Sequence, residues 1–353
     1  MAVRRGRAAA ALRHALLGLA SCALVPLGAM AADAGTPIPV KVMIVNMFSL
    51  EAAPWLAQLH AETSVQVPGL PGGDPAVRCT PAGVCQMTIG MGHANAAASM
   101  TAVLFSPLFD LRKTYFLIAG IAGIDPQRGT LGSAAWARYA VDLGLAHEID
   151  AREMPRGWQD GYFGVGTDSP EDMPKFEYRT EVFQLDERLL QRALALSQAV
   201  TLADTEDMRA YRRHYRDPAA RRPPSVIQCD TLTGDTWWAG RLLGEHARRW
   251  TRLLTHGAGN YCTSQEEDNA TLAVLARAAG AALVDPKRVA VLRTGSDFDR
   301  PYPHQTAFES LRAQRKLGAF HAAADNLVRA GMPLVEDISL HWDRWESGVP
   351  ALR

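Results

Sequence analysis

The chain has 353 residues, of which 48% are hydrophobic, and its 37 Lys and Arg balance 37 Asp and Glu to a formal net charge of zero. Balanced charge argues against a nucleic acid or an anionic membrane surface as partner. Past the N-terminal region no unbroken apolar stretch is long enough for a bilayer span, and the length suits one large core or two small ones.

Arg4, Arg5, Arg7 and Arg13, with no acid among them, precede an apolar run from Ala15 to Met30 and the small-x-small triplet Ala29-Met30-Ala31. This order predicts a signal peptide over residues 1–31, cut after Ala31, and a periplasmic or secreted protein. Pro26 and the glycines make the run a poor membrane anchor. The segment Leu19-Ala20-Ser21-Cys22 is a poor lipidation box, because apolar sequence continues past the cysteine. Cleavage removes four basic and no acidic residues, leaving 33 against 37 and a net charge of −4. Of the four cysteines that stay, Cys79 and Cys85 bracket the turn-forming Pro81-Ala82-Gly83 and are expected to close a short disulfide loop in an oxidising compartment. A bridge between Cys229 and Cys262 stays open, because sequence carries no geometry. Neither the cysteines nor the histidines have the close pairing of a metal site, so no metal is expected.

Val40–Val45 is a short β-branched run followed by helical spacing over Glu51–His60, which reads as strand, loop, helix. Val84–Ile89 resumes strand character, Gly90-Met91-Gly92 turns the chain, and Ala94–Leu104 is an Ala-rich helix. Thr114–Ala119 is a buried strand running into a second glycine turn, Gly120-Ile121-Ala122-Gly123. Residues 150–180 mix Pro, Gly, aromatic and charged residues without period and read as a long excursion, the kind of segment that often serves as a lid. Leu185–Val200 is an amphipathic helix, Arg209–Pro224 a basic, solvated insertion, and Ser225–Gln228 a strand. Trp237–Trp250 and Thr271–Ala279 read as helices, Val289–Arg293 as the final strand and His321–Val328 as the closing helix. Strands alternating with helices predict an α/β fold around a largely buried sheet, as a single domain over 37–345. The glycine turns match neither the dinucleotide nor the P-loop fingerprint, so no cofactor is expected.

In this order the segments resemble the nucleoside phosphorylase superfamily, in particular its exported purine nucleoside permease branch. The resemblance rests on Ile89-Gly-Met-Gly-His-Ala-Asn-Ala-Ala-Ala98, Ala119-Gly-Ile-Ala-Gly123, Thr233-Gly-Asp-Thr-Trp237 and Arg293-Thr-Gly-Ser-Asp297. Signs of the branch are Trp136-Ala-Arg-Tyr139, Gly234-Asp-Thr-Trp-Trp238 and Gln265-Glu-Glu-Asp-Asn-Ala-Thr271. It implies a three-layer sandwich with a mixed, largely buried central sheet, a purine nucleoside as ligand, and assembly into a homo-oligomer.

By the same resemblance Asp297 is the general acid that protonates the departing base, and Arg293, on the same strand end, either orients its carboxylate or satisfies nearby backbone. Glu51 is the residue that activates an attacking water, giving a base on the sugar face and an acid on the base face of an oxocarbenium-like centre. An ordinary helix-start acid would look the same. Gly123 belongs to the central glycine segment, and Trp237 is the platform for the purine, where stacking is worth roughly 1–3 kcal/mol per base. Trp238 is expected in the core, since adjacent residues cannot share a helix face. Glu267 and Asp268 precede an apolar helix where the family holds the ribose hydroxyls; ungapped matching puts Asp268 on that position, unless it is an N-cap. Ser296 bonds either substrate or backbone. The loop Asn46-Met-Phe-Ser-Leu-Glu51 lacks the Arg of a phosphate cradle, which favours water over phosphate as co-substrate, while Ile121 stands where some hydrolases have a small polar residue. The expectation is a purine-nucleoside N-glycosidase. The alternatives are a non-catalytic nucleoside-binding component of uptake with a membrane transporter partner, a phosphate-dependent phosphorylase, or a family member with another ligand.

Overall fold

Along strand β1 (Val42–Asn46), Val42 and Ile44 enter one hydrophobic core while Met43 and Val45 enter another. Successive strand residues point to opposite faces, so a strand apolar at every position is covered on both. The structure, a computed structural model, describes residues 36–314 and 317–351. The expected signal peptide lies outside them. Residues from Thr36 onward cluster as one compact unit.

Beside β1, the central sheet contains β2 (Thr63–Gln66), β3 (Ala76–Cys79), β4 (Val84–Thr88), β5 (Tyr115–Ile124), β6 (Ala134–Trp136) and β7 (Tyr139–Asp142). It is completed by β8 (Val182–Gln184), β9 (Val226–Gln228), β10 (Asp230–Thr233), β11 (Tyr261–Gln265) and β12 (Val289–Phe298). The order is β8-β7-β10-β11-β5-β1-β4-β3-β2, with β12 paired to β5 and β6, and β6 to β9. The sheet is mixed: β12 and β1 run parallel to β5, and β11 runs antiparallel to it.

Among the described residues six helices have eleven or more residues: α1 (Ser49–Leu59), α2 (His93–Leu104), α3 (Glu187–Ser197), α4 (Arg241–Leu254), α5 (Asp268–Gly280) and α6 (Ala319–Leu340). Trp55 of α1, Leu189 and Leu190 of α3 and Leu327 and Leu334 of α6 pack on one face of the sheet. Met100 and Val103 of α2 and Leu272 and Leu275 of α5 pack on the other. This is the mixed α/β sandwich expected from the sequence, in three layers.

Several boundaries differ from the sequence reading. The segment Gly120–Gly123 is no turn but the continuation of β5, and β12 runs on to Phe298, so Arg293, Ser296 and Asp297 all lie on a strand. Helix α4 begins only at Arg241, after an irregular segment that carries Trp237 and Trp238. The basic stretch is not simply solvated: Met208, Tyr215 and Ala220 pack with Ile124 and Phe298 behind the end of β12, and buried Arg212 pairs with Asp204. The excursion over 150–180 supplies one strand of a hairpin, Tyr162–Gly164, paired with Ala146–Glu148 just before it, and is tied to α4, where Asp160 meets His246 and Arg249. Cys79 is bonded to Cys85 and, closing the possibility the sequence left open, Cys229 to Cys262.

Candidate active site

Strand β5 has one continuous partner and two partial ones. Along Phe116–Ile124 it pairs with β12, but on its other edge β1 stops at Ile118 and β11 starts only at Gly123. The residues between them have backbone groups with no strand to bond, and a buried peptide group needs a partner. Side chains supply it. Asn46 Nδ2 donates to the Ala119 carbonyl at 2.7 Å, the Ile121 N–H donates to Glu51 Oε1 at 2.7 Å, and Arg293 Nη1 donates to the Ile121 carbonyl at 3.2 Å. A cavity of about 310 Å³ opens at this split.

Glu51, Gly123, Trp237, Glu267, Arg293, Ser296 and Asp297 all line that cavity. Of the predicted site residues only Asp268 does not. Arg293 Nη2 donates to Asp268 Oδ1 at 2.5 Å and its Nε to Oδ2 at 3.3 Å, which turns the Asp268 carboxylate away from the cavity. Asp268, expected to hold the ribose, therefore does not face the cavity, whereas its neighbour Glu267 does. Neither is Asp268 the cap of α5: the Gln265 side-chain carbonyl accepts from the N–H groups of Glu267 (2.7 Å) and Asp268 (2.9 Å). Glu267 faces the cavity, with Oε1 accepting from the Gly92 N–H at 3.1 Å and Oε2 3.3 Å from Arg293 Nη2. Burial raises the proton affinity of Glu267 against the pull of Arg293 and the Gly92 N–H.

Of the two roles expected for Arg293, it takes the backbone one, donating to the Ile121 carbonyl, and does not orient Asp297. Its guanidinium serves Asp268, Glu267 and the Ile121 carbonyl. Burial opposes its charge, yet Asp268 and Glu267 more than compensate and raise its pKa. It passes over Gly120, where a Cβ would overlap the guanidinium and come within 2.7 Å of Met47 Sδ and 3.0 Å of Glu51 Oε1.

Asp297 reaches the cavity through an irregularity in β12, where the register against β5 shifts between Gly295 and Asp297. Such a bulge re-aims a side chain. The Ser296 hydroxyl, 2.8 Å from Asp297 Oδ1 and 3.1 Å from the Ala122 carbonyl, is engaged with its neighbour and the backbone. A Cβ at Gly123 would lie 3.4 Å from Asp297 Oδ2 and 2.9 Å from Ser264 Oγ, so glycine leaves that carboxyl room. Burial pushes the Asp297 pKa up to about 7, the Ser296 hydroxyl and Trp237 indole opposing and the Asp299 charge adding. Glu51 is buried too, its Oε2 accepting from the Met47 N–H at 2.7 Å. Burial lifts its pKa to about 8 despite Arg293.

The rest of the lining includes Met47, Phe48, Met91, Trp238, Glu266 and Phe320, which the sequence did not single out for ligand contact. Trp238, expected in the core, packs against the cluster of Val141, Leu232 and Trp250 and also lines the cavity beside Trp237, both lying outside a helix. Trp237 is half exposed, its ring centroid 6.0 Å from that of Phe320. No residue of the 150–180 excursion lines the cavity among the described residues. Arg293 is the only Lys or Arg lining it among the described residues.

Solved structures with the same fold include a 5'-methylthioadenosine/S-adenosylhomocysteine nucleosidase from Neisseria meningitidis in complex with methylthio-immucillin-A (TM-score 0.51, 14% identity, 84% of this chain and 99% of that one). Another is the futalosine hydrolase of Helicobacter pylori (TM-score 0.52, 12% identity, 84% and 98%). They establish the nucleoside phosphorylase-like fold. Similarity in sequence is much higher to a protein of Schizosaccharomyces pombe named "Probable purine nucleoside permease", 43% identical over 320 residues that cover 86% of this chain and 90% of that protein. A purine nucleoside permease of Candida albicans is 41% identical over 314 residues, 87% of this chain and 77% of that one. The sequence pattern of the family described as purine nucleoside permease (NUP) matches residues 39–350, a span that takes in every lining residue of the cavity. With that match, and relatives this similar along most of their length, the chain belongs to the purine nucleoside permease family.

Proposed function

We propose that this chain binds a purine nucleoside in the cavity at the β5 split and hydrolyses its N-glycosidic bond. The observation that carries the reading is a pair of buried carboxyl groups on one cavity, Glu51 and Asp297, whose proton affinities are lifted into the neutral range. Perturbed acids facing one cavity are the equipment of general acid–base chemistry. Purine nucleosides are the ligands in the relatives' names, and nucleosidase and hydrolase are the activities in the titles of the structures sharing the fold.

In this reading the purine stacks on Trp237 and Glu267 accepts from the ribose hydroxyls. Each Glu51 oxygen already takes one backbone N–H and keeps a second lone pair for a water. That water attacks C1′ and gives its proton to Glu51, while the C1′–N9 bond breaks and Asp297 delivers a proton to N7 of the leaving base. Water is the acceptor because Arg293, already facing Asp268 and Glu267, is in no position to cradle phosphate. The working state has Glu51 ionised and Asp297 protonated, which is populated where both groups are part-titrated. We place the reaction outside the cytoplasm, a proposal supported by the basic and apolar N-terminus and by the two disulfides.

Purified protein is expected to release free base from inosine or adenosine without phosphate, fastest between about pH 7 and 8. Asp297→Asn is expected to lower turnover by roughly a hundredfold or more. Base release that requires phosphate would replace hydrolysis with phosphorolysis. The word permease in the relatives' names favours a second reading, nucleoside capture for uptake without chemistry, with a membrane partner supplying the pathway. Among the described residues no helix is long and apolar enough to cross a membrane. Tight nucleoside binding in calorimetry with no base released would decide for capture.

A further inference from the structure

The segment that carries Trp237 and Trp238 is fastened by little backbone. Gly234 N–H donates to the Gln265 carbonyl and Gly240 N–H to the Asp299 carbonyl, each at 2.9 Å. Among the described residues, no backbone hydrogen bond is made by 235–239 between these anchors. One side chain of the segment is held firmly. Asp235 Oδ1 accepts from the His93 N–H at 2.7 Å and lies 2.8 Å from His93 Nδ1. On its other side the imidazole faces Asp142, with Nε2 buried, without a hydrogen-bond partner, and 3.6 Å from Oδ2. Asp142 is itself fixed at the end of β7, its Oδ1 accepting from Gly144 and Leu145 N–H at 2.7 and 2.8 Å.

We propose that His93 is a positioning residue for the aromatic wall of the cavity, fastening Asp235, and with it the Trp237 segment, to the start of α2 and to Asp142. A protonated imidazole presents one N–H to each carboxylate. A neutral one presents a single N–H and turns a lone pair toward the other carboxylate, so the fastening loosens as the proton leaves. The acids around it, Asp142, Asp235, Glu266 and Glu267, come from β7, the Trp237 segment and the approach to α5. Asp142 and Asp235 favour the charged ring most, and the charge of Glu266 interacts with it as well. The His93 pKa is raised accordingly, by its contact with Asp142 first and by Asp235, against burial. The aromatic wall is therefore held most firmly on the acid side of the His93 titration.

The effect on nucleoside affinity rests on the function proposed above, whereas the fastening itself does not, and the experiment separates them. In ligand-free protein at pH 6, acrylamide quenching of the fluorescence that Trp237→Phe removes reports the mobility of Trp237. His93→Leu and Asp235→Ala are expected to increase that quenching. His93→Asn, which keeps an amide N–H near the place of Nδ1, is expected to restore it and to make it insensitive to the proton His93 carries. In calorimetry the nucleoside Kd is expected to rise about three- to tenfold in His93→Leu, the net scale of one ordinary hydrogen bond. It is expected not to rise further when His93→Leu is added to Trp237→Ala, because both changes act through the same ring. Quenching unchanged in both His93→Leu and Asp235→Ala, or Kd effects that add to those of Trp237→Ala, would overturn the proposal. If the wild-type protein binds no nucleoside, the nucleoside reading falls, and the quenching comparison alone decides the fastening.

Discussion

Asp297 holds its proton to about 7 in the folded protein, while an ordinary Asp gives it up near 3.8. Between these values the native state binds more protons than the unfolded one, so stability falls as pH rises through that window and levels off above it. Asn at 297 can still accept from Ser296 but has no proton to lose. Asp297→Asn is therefore expected to be more stable than the wild type by up to roughly 4 kcal/mol above pH 7, with the difference vanishing near pH 4. Urea unfolding at a series of pH values reads it, and an equal gap at pH 4 and pH 8 would refute the cause. Such destabilisation is typical of residues kept for function. Asp297, Glu51, Trp237 and Glu267 were legible because their side chains sit in recognisable local strings. Which of the two acids before α5 faces the cavity was not legible, because they stand side by side and only the reach of Arg293 from a distant strand separates them. The cap supplied by Gln265 had no local signal of that kind, since its carbonyl is aimed by Thr231 and Thr233 on β10.

At the level of elements, the segment Gly120–Gly123 has the composition of a turn and the conformation of a strand. Its glycines answer to crowding by Arg293, Met47 and Ser264, which come from other strands and loops and leave no trace in the local sequence. Gly120→Ala would push a methyl group into the Arg293 guanidinium and toward Glu51. The expected cost is about 1–3 kcal/mol of stability, as for other overpacked sites, with a greater loss of nucleoside affinity than of stability. A crystal structure of the variant with Arg293 and Glu51 undisturbed would contradict this. The early strands and helices were read well, because β-branched runs and apolar periodicity are local properties, whereas the closing helix, expected over His321–Val328, runs from Ala319 to Leu340. The segment before α4 was read as helix because the pattern that marks Arg241–Leu254 extends through Trp237 and Trp238, whose neighbours in space are Phe320 and the cavity.

For the molecule as a whole, the two disulfides differ in reach. Cys79–Cys85 closes a sequence separation of six and Cys229–Cys262 one of 33. Loop-closure entropy makes the longer bridge worth about 4 kcal/mol and the shorter about 2. Replacing Cys229 and Cys262 by Ser is expected to lower Tm more than replacing Cys79 and Cys85, and scanning calorimetry of the two double variants showing the reverse order would dismiss chain entropy as the reason. The short bridge was legible because it spans a visible turn, and the long one was not because β9, β10 and β11 had to be in register first. The sandwich itself was legible as an alternation of strand and helix, whereas the split edge of β5 depends on where two other strands stop. That split gives the chain an internal gauge: the amide of Ile121 has no strand partner and leans on Glu51 alone, so its nitrogen and proton resonances should follow the ionisation of the acid. The charge state of the chemistry is thereby written into the backbone, where it can be watched without any substrate.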